Sequence, residues 1–64
     1  MDWSSMRGLE PCILLGIVNE KLRLECDSID EFRARYDADV VQLQQRLASI
    51  GFHYDPMGNQ FKHR

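Results

Sequence analysis

The sequence contains no C-x-x-C pair, no histidine cluster, no glycine-rich loop and no apolar run long enough to cross a bilayer. Each absence removes a class of function. The two cysteines, Cys12 and Cys26, stand fourteen residues apart within what reads as one helix. At ~1.5 Å of rise per residue they lie about 21 Å apart, beyond the reach of an intrachain disulfide. Two reduced, mostly buried thiols are therefore expected, as in a cytoplasmic protein. His53 and His63 are remote from both cysteines and lack ligand spacing, so neither a metal nor a cofactor is expected. No serine or cysteine has a positioned base beside it, and no carboxylate pair stands out. The chain does not read as an enzyme.

The longest apolar run, CILLGIV at residues 12–18, is far shorter than the ~20 residues a membrane span needs. A secretory leader would open with bases, but Asp2 precedes the first base, Arg7. The run reads as core, and no membrane contact is expected. Basic excess is missing too. The net charge is -2, with three bases against five acids in residues 1–27 and five of each in residues 28–64. Beyond Asp55 the only charges are Lys62 and Arg64, so the tail alone is locally basic.

What remains is a 64-residue chain with 44% hydrophobic and 28% charged residues, enough for one small globular domain. Residues 1–9 lack periodicity and read as a flexible N-terminal arm, with Trp3 able to dock on the core; residues 10–64 read as the domain. Pro11 opens a helix expected over 11–26. On it Leu15, Val18, Leu22 and Cys26 share one face, and Ile13, Ile17 and Leu24 form a second stripe. A single small core needs one such stripe, so the second is a candidate partner-binding face.

Ser28 and Glu31 form a capping box for a helix over 28–36, with Ile29, Phe32 and Tyr36 buried. Asp37 or Asp39 caps a third helix over 39–50, whose core stripe is Val40, Leu43, Leu47 and Ile50. Gly51 suits the left-handed end of that helix. A hairpin is expected across 52–62, with Asp55 to Gly58 as its turn, Phe52 opposite Phe61 and Tyr54 opposite Asn59.

The expected fold is α+β, mostly α: a three-helix, helix-turn-helix-like core with a C-terminal β-hairpin, in winged-helix-like order. The pattern S-I-x-E-F followed by V-x-x-L-x-x-R-L-x-x-I-G-F resembles the helix-turn-helix half of many DNA-binding proteins. A closer resemblance rests on EPCILLGIVNEKLR, SIDEF, RLASIGFHYD and NQF, four segments in order between about residues 10 and 62. Together they are similar to the short bacterial proteins grouped as domain of unknown function family 4250. Gly16, Leu24 and Phe32-Arg33 depart from that pattern, where serine, aspartate and leucine-cysteine are expected. The resemblance implies a soluble bacterial protein and brings no activity or catalytic residue. Within these segments Asn19 and Arg23, at i and i+4, are expected to pin the hairpin or the following helix turn, or to meet each other. Asn59-Gln60 is expected to close the hairpin turn.

Two functional readings follow. The preferred one is a protein–protein interaction or adaptor module that uses Ile13, Ile17 and Leu24, either toward an outside protein or as a homodimer. The alternative is a weak DNA-binding regulator. In it Gln42, Gln45, Arg46 and Ser49 form one exposed reading stripe, and Lys62 and Arg64 hold phosphates. Against the alternative stand the acidic balance and the two aspartates at the start of the reading helix.

Overall fold

The computed structural model describes residues 2–63. Its elements run α1 (Trp3–Met6), α2 (Pro11–Leu24), α3 (Ile29–Tyr36), α4 (Val40–Ala48), β1 (Phe52–Asp55) and β2 (Gln60–His63). The fold is α+β and mostly helical, with a C-terminal antiparallel hairpin, as expected. None of the helices among the described residues is long and apolar enough to cross a membrane.

Local chemistry sets the boundaries. Ser28 accepts a hydrogen bond from the Glu31 N–H at 3.1 Å. Glu31 answers one residue earlier than a capping box would, accepting from the Asp27 N–H at 3.1 Å. Asp39, rather than Asp37, caps α4 by accepting from the Gln42 N–H at 3.1 Å. Asp37 instead ends α3 in the left-handed region, at φ 51°. The helices expected over 11–26 and 39–50 each end two residues early, because Glu25 and Ser49 already serve as their C-caps. Gly51 has φ 85°, as its position predicts, and a Cβ there would come within 2.9 Å of His63 Nε2. Both facts select glycine.

The N-terminal reading needs correction. Residues 3–6 form a helical turn rather than an aperiodic arm. Asp2 caps it through the Ser5 N–H at 3.1 Å, and Trp3 and Met6, at i and i+3, both enter the core. Phe32, Met6, Leu14, Leu43, Leu47 and Val18 are the largest fully buried side chains. Each contributes about 1.5–3 kcal/mol of burial. Leu14, absent from the expected core, is central, while Leu15, Ile29, Tyr36 and Phe52 pack at its margin. Cys26 is buried but Cys12 is exposed, so only one of the two thiols is where the sequence placed both.

The hairpin register also differs. Phe52 pairs with His63 and Tyr54 with Phe61, two residues away from the expected register. The connection is four residues long, Pro56 to Asn59, and Asn59 closes it at φ 51°. Asp55 steadies its entry by accepting from the Met57 N–H at 3.1 Å. Side chains alternate with period two, so a slip of two leaves every residue on its expected face. Phe52, Tyr54 and Phe61 therefore still point at the helices, and Phe61 is 2% exposed.

Candidate interaction surface

The site residues depend on how α2 is held. Along α2, Leu14, Val18 and Leu22 recur at four-residue intervals and face the core. The opposite side carries Ile13, 51% exposed, and Leu24, 61% exposed. Ile17 lies between the two sides, half-buried and packed on the core margin. The second apolar stripe seen in the sequence thus splits. Its two ends are open to solvent and its middle is shared with the core. Gly16 lies beside it with nothing within 4 Å of where a Cβ would stand, so this flank of the helix is unobstructed.

Two asparagines fix the orientation of that face. Asn19 Nδ2 donates to the Phe61 carbonyl at 3.0 Å, and Asn19 Oδ1 accepts from the Phe61 N–H at 2.7 Å. The amide replaces the neighbouring strand that β2 lacks and ties the hairpin to α2. Asn59 Nδ2 donates to the carbonyls of Leu22 and Cys26 at 3.0 and 2.9 Å, satisfying orphan acceptors at the C-terminal end of α2. Its Oδ1 accepts from the Tyr54 hydroxyl at 2.7 Å. That hydroxyl in turn accepts from the Ile29 N–H, the first turn of α3, at 3.2 Å. One chain of bonds therefore joins the end of α2, the hairpin and the start of α3.

Of the expectations for these motifs, Asn19 pins the hairpin, while Arg23 is exposed. Asn59 does adopt the left-handed turn position, but its side chain bonds outside the turn. The bonds of the Tyr54 hydroxyl carry no local sequence signal, because its partners lie in the turn and at the start of α3.

Between α2 and the hairpin tip lies an open groove of about 750 Å³, lined in part by Gly16, Asn19, Glu20, Arg23, Gly58 and Gln60. The asparagines that line it are already engaged in the bonds above. Cys26 also borders it, but burial pushes its thiol up from the ordinary cysteine value and away from the reactive thiolate. Glu20 and Arg23 rim the groove with opposite charges. The outer face of α2 thus carries an exposed apolar pair, Ile13 and Leu24, bordered by polar residues.

Near its end α2 is braced on α3. Lys21 Nζ sits 2.9 Å from Glu25 Oε2, and the Tyr36 hydroxyl donates to Glu25 Oε1 at 2.5 Å. The Tyr36 hydroxyl first, and Lys21 second, hold the Glu25 carboxyl below its ordinary value.

The proposed DNA-reading stripe does not survive as one exposed row. Gln45 and Ser49 are exposed, but Gln42 and Arg46 are half-buried. Arg46 Nη2 donates to the Leu9 carbonyl, and Nε is buried without an acceptor among the described residues. The guanidinium braces the α1–α2 connection instead of standing free for guanine. Ser49 caps α4 and donates to the Arg46 carbonyl. Lys62 lies 3.5 Å from Asp55 Oδ2 across the hairpin, which partly offsets its charge. Arg64 lies outside the described residues.

Comparison with known proteins adds one relation. No curated protein and no solved structure matches the chain. A family profile does, over residues 9–61, from just before α2 to the middle of β2. That span contains Asn19, Tyr54, Asn59 and Phe61, the residues that lock the hairpin to the helices. The chain belongs to the family described as Domain of unknown function (DUF4250).

Proposed function

We propose that the chain is a small, non-catalytic protein-interaction module whose contact surface is the outer face of α2. One observation carries this reading: Ile13 and Leu24 stand 51% and 61% exposed on a helix whose other side is the core. Burying an aliphatic side chain contributes about 1.5–3 kcal/mol before the entropic cost of association. With two such side chains on each of two facing surfaces the gross gain is about 6–12 kcal/mol, so after that cost the complex is weak, micromolar at its tightest. The partner is another protein or a second copy of the chain. Two free thiols, one of them exposed, support a reducing compartment such as the bacterial cytoplasm.

Sedimentation at high micromolar concentration tests self-association, and crosslinking from position 16 in cells tests an outside partner. Leu24→Asp alters only an exposed side chain and is expected to abolish either association while leaving the fold intact. A parent protein that stays monomeric and yields no adduct defeats the reading. The nucleic-acid alternative has less support, because Arg46 is tied to Leu9. Arg46→Ala is accordingly expected to lower the unfolding midpoint. A loss of duplex affinity at unchanged stability would favour DNA binding instead.

A further inference from the structure

β1 and β2 form a two-stranded sheet, so each strand has one edge without a strand beside it. The two edges are not equivalent. In an antiparallel pair, opposed residues point their N–H and C=O groups either toward each other or both outward, in alternation. Phe61 points both outward, into the Asn19 amide. Its opposed residue is Tyr54, so Tyr54 and, two residues away, Phe52 point theirs outward from the other edge. Among the described residues no hydrogen bond engages those four groups.

A groove of about 320 Å³ runs beside that edge, walled by Gln44 and Ala48 of α4 and by Phe52, His53 and Tyr54 of β1. Val41, Gln44 and Ala48 share the outer face of α4, and all three are exposed. β1 carries no proline, lysine or bulge, three of the devices that protect an open strand edge, although it is only four residues long and ends in Asp55.

We infer that this edge accepts an extended segment of another protein as a third strand, antiparallel to β1. The complementarity is one of partial charge. Two donors and two acceptors alternate over about 7 Å, a pattern that an extended main chain matches. Segment residues opposite Phe52 and Tyr54 would turn their side chains to the same face, toward α4. The wall there includes Ala48, so aliphatic residues at alternate positions fit. A second copy of β1 is disfavoured by the helix packed on it. Pairing two β1 edges about a two-fold axis sets the strands ~4.8 Å apart, while the α4 helices packed on them need about 8–10 Å between axes. This surface is separate from the outer face of α2, so the inference stands independently of that reading.

The probe is the acetylated, amidated peptide Thr-Val-Thr-Val-Thr, titrated into ¹⁵N-labelled protein. In free protein the Phe52 and Tyr54 amides should exchange quickly and those of His53 and Asp55, paired to β2, slowly. Millimolar peptide is expected to slow exchange at Phe52 and Tyr54 several-fold and to leave His53 and Asp55 unchanged. Methylating both valine nitrogens removes the donors that face the edge and should abolish the effect. Ala48→Lys fills the groove from an exposed helix position and should also abolish it, whereas Leu24→Asp should not. Unaltered Phe52 and Tyr54 exchange at millimolar peptide overturns the inference. So does an equal effect of the methylated peptide. Slowing that follows protein concentration without peptide would assign the edge to a second copy and overturn it as well.

Discussion

Asn19 and Asn59 do with side chains what a longer protein does with an extra strand and a longer loop. Each uses both ends of its amide, so neither can be replaced by a residue with only a donor or only an acceptor. Asn19→Ala leaves the outward N–H and C=O of Phe61 without their partner and is expected to cost about 1–3 kcal/mol in urea denaturation. At position 59 two effects can be separated, because φ is 51°. Asn59→Gly keeps the turn and loses the bonds; Asn59→Ala loses both. The alanine variant should be less stable than the glycine variant by about 1 kcal/mol. Glu25 supplies a pH test. Its folded-state pKa lies below the ordinary value, through the Tyr36 hydroxyl first and Lys21 second. The associated stability is present above the unfolded carboxyl pKa, ~4.3, and is lost as pH falls through the lower folded value. In acid titrations followed by circular dichroism, the advantage of the parent over Glu25→Gln should shrink below about pH 4.

Among the elements, α1 contributes most per residue, since two of its four side chains close the core. Met6→Ala should cost about 2–5 kcal/mol in thermal or chemical melts, comparable with Leu47→Ala, which empties a fully buried position in the last turn of α4. A Met6→Ala variant that melts like the parent would show α1 to be an ornament. How legible each element was follows from what holds it. α3 and α4 are set by local signals, Ser28, Asp39 and Gly51, and those signals stand in the sequence. α1 is too short to show a period, and only Asp2 three residues before Ser5 hints at it. The hairpin's face follows from alternation, whereas its register depends on loop length, which Pro56 and Gly58 leave open between two and four residues. The α2 face was readable as a second stripe, but its division at Ile17 was not. Arg46 shows the limit of periodicity: helical spacing placed it on the polar side, and a carbonyl 37 residues earlier in the chain drew it inward.

At the scale of the whole molecule, the fold is closed by bonds between distant parts of the chain. Asn19 meets Phe61 across 42 residues, and Asn59 meets Leu22 across 37. The hairpin is therefore part of the structure's closure and not an appendage. Truncation after Asp55 removes Asn59 and Phe61 together and is expected to collapse amide dispersion throughout the chain, in the helices as well as in β1. A truncated chain that kept its dispersed spectrum would show the helices to be self-sufficient. The same closure carries a lesson about evolutionary constraint. Selection for folding alone would hold Asn19, Tyr54 and Asn59 constant, since each is a polar residue that substitution cannot replace. In a set of related chains these three would look like a catalytic centre, clustered, polar and beside a groove. Positions 13 and 24, free of any duty to the fold, could drift from one lineage to the next. If the outer face of α2 is the contact surface, the variable positions are the ones that record what each member binds, and the invariant ones record only how it folds.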